Sequence, residues 1–396
     1  MRRSRAQQPS AGDPQLKESL NFLRRAGHYP GRPRRLRLIE THFAWVFLTA
    51  RRAYKLKKPT VQGGMDYRTL AQREQGCRNE LRLNRRLARA VYLAVVPLKR
   101  TPRGTLSFQG RGAVVEWLVK MQRLPAAGML DRAAVAGRVS RTQCDAVVRL
   151  LVRFFRRAHR VPMSPRRYRQ HLRARTRATA RELCAPDLGL ERSQVQRVAR
   201  GQLALIRLKA RELGARGARL IEGHGDLRPE HIYVGSARSA PCVIDCLEFD
   251  PGLRRLDPAE ELAFLALECA RLGARALATR LLARYRQLLP DRGASSVLIH
   301  FYMSQRAFIR AMIAAWHVRD PQFATQRPAW RARARSYLKD ALVSARRGER
   351  EERRRASVLK SYRPVRQQRR ERPAGDHAAH GLTQQWRDRQ YHELRG

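Results

Sequence analysis

At "MQRLP" (Met121–Pro125) the chain changes periodicity, and that switch constrains its fold more than any other feature. Upstream, "WVFLT" and "AYKLK" are β-rich segments with the basic "ARR" between them, reading as two strands and a short turn. "VYLAVVPL" and "GAVVEWLVKM" are two further strand candidates, and the helical "REQGCRNELRLNRRLA" (Arg73–Ala88) lies between the two pairs. "TVQGGMDYRTL" reads as a Gly-containing loop. Downstream the spacing becomes helical. "QCDAVVRLLVRFFRRAH" puts Val147, Leu150, Leu151, Phe154, Phe155 and Ala158 on one stripe, with arginines elsewhere. A small antiparallel sheet with one inserted helix, followed by a mostly helical lobe, is an α+β arrangement. The expected domains are a basic extension over 1–35, a first lobe over 36–124, a helical lobe over 125–345 and a basic, partly disordered tail over 346–396.

Within the helical half one segment breaks the pattern. "EGHGDLRPEHIYV" (Glu222–Val234) is an irregular Gly-containing loop, and "VIDCLEF" (Val243–Phe249) follows as a short apolar strand ending in an acid. Phosphoryl transfer from ATP needs a carboxylate near the acceptor hydroxyl, ligands for Mg²⁺, and a lysine on the phosphates. Asp226 can project from its loop to accept a proton, with His224 bracing the loop. Arg228 can neutralise charge on the transferring group. Asp245, flanked by Ile244 and Cys246, is costly to bury without a cation, which suits a metal ligand. His231, five residues after Asp226, is the second metal candidate. In "AYKL", Ala53 and Lys55 share a strand face. Lys57 is on that face too and is the rival for the phosphates, while a solvated basic strand end is the plain alternative for either. Glu80 is the partner expected for the lysine, with Glu74 as rival. Glu248 and Asp257 are candidates for supporting roles.

Together these motifs resemble the aminoglycoside phosphotransferase-like family of small-molecule kinases, which have a two-lobed, protein-kinase-like fold. "HGDLRPEHIYV", "VIDCLEF" and "DPAEELA" (Asp257–Ala263) are similar to its catalytic-loop, metal-binding and following-helix motifs. "ETHFAWVFLT", "YKLKKP", "ELRLNRRLA" and "VVEWLVKMQRLP" further resemble a poorly characterised bacterial branch. The resemblance spans roughly residues 36–345. It implies Asp226 as base, Asp245 as metal ligand, Lys55 on the phosphates of ATP, and backbone contacts to adenine near Met121–Leu124. It also implies a small-molecule acceptor. Three departures stand out: His231 replaces the usual Asn, Glu261 stands where many relatives have Asp, and no G-x-G-x-x-G precedes Lys55. Some members of the branch carry an additional P-loop domain; no G-x-x-x-x-G-K-[ST] occurs in these 396 residues.

Charge bears on partners. The chain holds 84 Lys and Arg against 33 Asp and Glu, a formal net of +51. Residues 1–35 carry nine Lys and Arg against two acids, and residues 346–396 carry fifteen against seven, so most of the excess is spread over the helices. An Arg-rich acceptor side favours an anionic or neutral substrate over a polycationic one. Such a surface also binds polyanions non-specifically, and a nucleic-acid- or ribosome-associated protein on a kinase-like scaffold is the rival class. A nucleotide-binding pseudokinase is a third, suggested by His231. Six cysteines without paired spacing suit free thiols in a reducing cytoplasm. His224, His231, Cys242 and Cys246 form a weak zinc alternative. No apolar run is long enough for a membrane helix. The basic start lacks a secretory core and fits an organellar presequence in composition only.

Overall fold

The computed structural model describes residues 14–62, 64–235, 239–289 and 294–361. Helix α1 (Pro14–Leu23) opens the described chain, and strands β1 (Arg37–Glu40), β2 (Ala44–Leu48) and β3 (Arg52–Lys57) follow. A small hairpin, β4 (Val61–Gln62) and β5 (Met65–Asp66), leads into α2 (Leu70–Ala88). Strands β6 (Tyr92–Arg100), β7 (Leu106–Ser107) and β8 (Ala113–Gln122) complete a six-stranded sheet in the order β1-β2-β3-β8-β6-β7. All its pairings are antiparallel, with Val46 opposite Lys55 and Ala53 opposite Met121.

The first-lobe strands and the helices read from the sequence form as expected, whereas the strand expected over "VIDCLEF" is limited to Cys242–Val243, because Asp245 turns the chain with φ +63. Two parts of the first lobe differ. Strand β1 was not anticipated, because Arg37–Glu40 is short and mostly exposed and so shows little burial alternation. The "TVQGG" loop contains the β4–β5 hairpin. The proposed N-terminal extension also changes character after residue 13. Leu16 and Leu23 of α1, together with Tyr29, pack against Phe47, Tyr54, Leu56, Leu98 and Leu118 in one core. Three fully buried side chains of this size each contribute roughly 1.5–3 kcal/mol, enough to hold a ten-residue helix on the sheet. Residues 14–35 therefore belong to the lobe.

Helix α2 starts at a capping box in which Thr69 and Gln72 satisfy each other's backbone amides. It buries Cys77, Glu80, Leu83, Asn84 and Leu87, a stripe that mixes core residues with two polar groups of the site. After β8 come α3 (Leu130–Val135), α4 (Arg141–Arg157), α5 (Pro165–Leu183), α6 (Arg192–Leu208) and α7 (Ala210–Arg216). The site segment uses only two-residue strands: β9 (Ile221–Glu222), β10 (Ile232–Tyr233) and β11 (Cys242–Val243). A short α8 (Pro251–Arg254) and β12 (Arg255–Leu256) close it, with β12 returning to pair with β9. Helices α9 (Pro258–Arg271), α10 (Arg275–Leu288), α11 (Ser296–Arg319) and α12 (Arg327–Ser361) finish the described chain. The chain divides into two units after Glu349. The expected tail is thus helical through residue 361, and its remainder, like residues 1–13, lies outside the described residues.

Asp257 caps α9 by accepting from the Ala259 amide, while Arg216 and the Tyr302 hydroxyl also reach its carboxylate. This acid is fully buried. No helix among the described residues is long and apolar enough to cross a membrane.

Candidate active site

Strand β3 delivers two lysines to one face, as side-chain alternation requires. Both reach Glu80 of α2: Lys55 Nζ lies 2.9 Å from Oε1 and Lys57 Nζ 2.7 Å from Oε2. Their other partners separate them. Lys55 also donates to Asp245 Oδ1 at 2.6 Å, at the open cleft. Lys57 is enclosed and pairs with Glu248, which accepts at 2.7 Å from the Tyr67 hydroxyl. Neither lysine is a solvated strand-end charge. Glu74 sits on the outer face of α2 with Arg78, away from both.

The loop from Gly223 to His231 is fixed by its own side chains. Glu261, on the first turn of α9, accepts the amides of His224 (2.9 Å) and Gly225 (2.7 Å). Burial raises the Glu261 carboxyl, and these two amides and Arg306 only partly offset it. Gly225 has φ +91, and a Cβ there would come within 2.9 Å of the Leu247 side chain, so the turn before Asp226 needs glycine. His224 is fully buried. Its Nε2 donates to the Ile244 carbonyl at 2.9 Å, leaving Nδ1 to accept from the Asp226 amide at 3.3 Å. Burial drops its pKa to about 3, which keeps this neutral tautomer in place. His224 braces the loop and does not face the cleft.

Asp226 and Asp245 converge on His231. The imidazole Nδ1 lies 3.7 Å from Asp226 Oδ2, and Nε2 lies 3.5 Å from Asp245 Oδ2. Burial pushes the Asp226 carboxyl up, but Arg228, His231 and Arg310 outweigh it and hold the group at about 2. Burial also works against ionised Asp245, and Lys55 with His231 reverses it, leaving that carboxyl far below its usual range. Arg228 was expected to face the transferring phosphoryl. Here it is bound to Asp226 (3.0 Å) and Glu230 (2.5 Å), so its charge serves these two acids.

Asp245 is held in an unusual backbone conformation, φ +63, which costs a non-glycine residue of order 1 kcal/mol or more. Two hydrogen bonds from the first lobe offset this cost. The Asp245 amide donates to the Tyr92 hydroxyl at 3.1 Å, and the Cys246 amide donates to Asn84 Oδ1 at 2.9 Å. Asn84 in turn donates to the Glu80 carbonyl, so one turn of α2 carries both the lysine partner and the clamp on the Asp245 loop. Tyr92 and Asn84 carried no motif signal; only the i, i+4 spacing from Glu80 to Asn84 hinted at a shared face.

Lys55, Lys57, Tyr92, Asp226, His231 and Asp245 line one cavity of about 580 Å³, together with Ala53, Met121, Leu124, Arg228 and the turn residues Thr41–Phe43. Its inner end is apolar, with Ala53, Val91, Met121 and Ile244, a setting for a flat aromatic base. At Met121–Leu124 two amides are already used: Gln122 donates to Val91 and Arg123 to Arg51. That narrows the backbone groups left for adenine.

The residues fit a divalent cation held jointly with phosphates. With Nδ1–H donated to the Asp226 carbonyl at 2.9 Å, His231 turns the Nε2 lone pair toward Asp245 Oδ2. Two acceptors 3.5 Å apart can close on one ion, since adjacent ligands of octahedral Mg²⁺ sit about 3 Å apart. No cluster of three or more His, Cys, Asp or Glu side chains able to hold a metal occurs among the described residues, so the zinc set does not assemble. Mg²⁺ completes its shell with phosphate and water and does not need such a cluster.

No family model matches the chain. The uncharacterized proteins Rv2004c of Mycobacterium tuberculosis and Mb2027c of Mycobacterium bovis are each 32% identical over 285 residues, 69% of this chain and 53% of theirs. The chain thus spans about half the length of the curated relatives it matches. Among solved structures, choline kinase from Cryptosporidium parvum is similar at 8% identity and TM-score 0.49, covering 87% of this chain and 99% of that one. A choline/ethanolamine kinase family protein from Mesorhizobium loti follows at 12% and 0.46, covering 83% and 99%. Aminoglycoside phosphotransferase APH(3'')-Id from Streptomyces rimosus, in complex with ADP and streptomycin, gives 18% and 0.42, covering 73% and 96%. The structural similarity is to the aminoglycoside phosphotransferase and choline kinase family.

Proposed function

We propose that this protein is an ATP- and Mg²⁺-dependent phosphotransferase acting on a hydroxyl group of a small molecule. The observation that carries this reading is the meeting in one cleft of Lys55–Glu80, Asp245 and Asp226, with His231 between the two aspartates. When bound, Mg²⁺–ATP supplies the phosphoryl group and the metal's neutralising charge. Lys55, released from Asp245, would orient the phosphates while Glu80 keeps it charged and in place. Asp245 and the Nε2 of His231 would hold the cation. Asp226 positions the acceptor hydroxyl and takes its proton at a carboxylate oxygen. Its low basicity suits a transfer that completes late, as the acceptor oxygen gains its bond to phosphorus. Arg228 and the Glu261-held turn keep Asp226 ionised and aimed.

The test separates chemistry from binding. Asp226→Ala should lower turnover of any accepted hydroxyl substrate by about 10²-fold or more, while Mg²⁺–ATP affinity by calorimetry stays within about twofold. Asp245→Ala should lose both turnover and the Mg²⁺-dependent part of nucleotide binding. Full activity in Asp226→Ala, or nucleotide affinity indifferent to Mg²⁺, would refute the assignment.

A further inference from the structure

The arginines around the catalytic loop are nearly all committed. Arg228 holds Asp226 and Glu230; Arg306 donates to the Gly225 carbonyl at 3.1 Å and pairs with Glu260 at 2.9 Å; Arg271 pairs with Asp340. Arg310 differs. It stands one turn beyond Arg306 on α11, about 6 Å further along the same face. Its contact is the ring of Tyr337, 5.7 Å from the guanidinium carbon. Its Nε is enclosed with no hydrogen-bond partner, while its terminal nitrogens, also without partners, are not enclosed. Its charge nonetheless reaches the loop, being one of those that keep the Asp226 carboxyl low. Glu268 is an acid on which the Arg310 charge acts, but one of its oxygens accepts from Tyr337 at 3.1 Å, the other is enclosed without a hydrogen bond, and it makes no ion pair with Arg310. Burial raises that carboxyl, which weakens it as a counter-ion.

A guanidinium with unpaired terminal nitrogens, one helical turn from the arginine that holds the Gly225 carbonyl and over a ring it shares with Arg271, is a receptor for an oxyanion. We infer that Arg310 anchors an anionic group, carboxylate or phosphate, on the acceptor, so that the substrate is a small molecule with a hydroxyl close to that anion. The inference rests on the phosphotransferase reading for the identity of the hydroxyl, while the anion site itself stands on Arg310.

The experiment measures binding of glycerate and of glycerol 3-phosphate to the full chain at saturating ADP and Mg²⁺, with glycerol as the uncharged control. Wild-type protein should bind one of the two anions saturably, and which one binds tells carboxylate from phosphate. Arg310→Gln should weaken that binding by about tenfold or more, with ADP affinity and melting temperature unchanged. Arg310→Lys should recover part of the loss, since it restores charge without the fork. Binding of neither anion, equal affinity in wild type and Arg310→Gln, or glycerol binding as well as the anions would overturn the proposal. Anion binding that depends on Arg310 in a protein that does not bind ADP would sink the kinase reading and leave this site standing.

Discussion

The two sides of the cleft handle charge in opposite ways. On the nucleotide side, two lysines face three carboxylates, with Lys55 and Lys57 shared among Glu80, Asp245 and Glu248. That leaves an excess of negative charge beside an open carboxylate, Asp245, whose side chain is 44% exposed. On the other side Arg228 is shared between Asp226 and Glu230, and Arg310 makes no ion pair. The difference teaches what each side lacks. On the proposed function the first would be completed by a Mg²⁺–phosphate group, and on the Arg310 proposal the second would be completed by an anion. A buried network short of positive charge is costly unless a metal supplies it, whereas an unpaired surface-reaching arginine costs little while it waits.

The comparison breaks most visibly at the lysines, which look interchangeable in sequence. Lys57 is 2% exposed and bridges Glu80 and Glu248, so Lys57→Ala leaves Glu80 with Lys55 alone and Glu248 without its ion pair. The expected cost is about 3–5 kcal/mol in denaturant unfolding. Lys55→Ala leaves Glu80 with Lys57 and leaves Asp245 in contact with solvent. It should cost roughly 1 kcal/mol or less while weakening ATP binding about tenfold or more. Equal stability losses would show that the division between a structural lysine and a nucleotide lysine is false.

A smaller effect concerns the acceptor side. Asp226 sits at about 2 against an ordinary 3.8, so its ionised form stabilises the fold by about 2 kcal/mol. Because the folded value is depressed, this contribution is fully present above pH 4 and is lost as pH falls through about 2. Asp226→Asn should therefore be less stable than wild type at pH 5, with the gap closing as the two are titrated toward pH 2. A gap that persists unchanged to low pH would assign the loss to packing rather than to the Arg228 and His231 charges. By the same sign, kcat/KM should show no acid limb from this group between pH 5 and 8.

Local patterns in the chain made much of this legible. The strands through "WVFLT" and "AYKLK", the helix carrying Glu80 and the ordered pair of aspartates all have signals within a few residues of themselves. Alternation correctly put Lys55 and Lys57 on one face, yet it could not say which is buried. That depends on Glu248, 191 residues away, landing beside Lys57. The Tyr92 and Asn84 clamps on the Asp245 loop are hidden for the same reason, spanning 153 and 162 residues. Arg310 was lost in composition, because in a chain with 84 basic residues only the absence of a partner makes one of them informative. Helix α1 was masked by the charges around it, although Leu16, Leu20 and Leu23 hold a helical spacing.

The smallest expected effect is the sharpest test of where the two sides meet. His231 occupies the position at which the resembling family has Asn, and its Nε2 faces Asp245 while its Nδ1 is tied to the Asp226 carbonyl. An imidazole nitrogen is a poorer Mg²⁺ ligand than an amide oxygen. His231→Asn can keep the bond to Asp226 through its amide NH₂ and offer oxygen to the metal. It should thus lower the Mg²⁺ concentration needed for half-maximal nucleotide binding by a factor of about three to ten, with melting temperature nearly unchanged. An unmoved Mg²⁺ requirement would mean that the imidazole serves instead as a positive bridge between the two carboxylates. His231→Asn would then raise the pH at which activity falls on the acid side, because both aspartates would lose a neighbouring charge that favours their ionised forms.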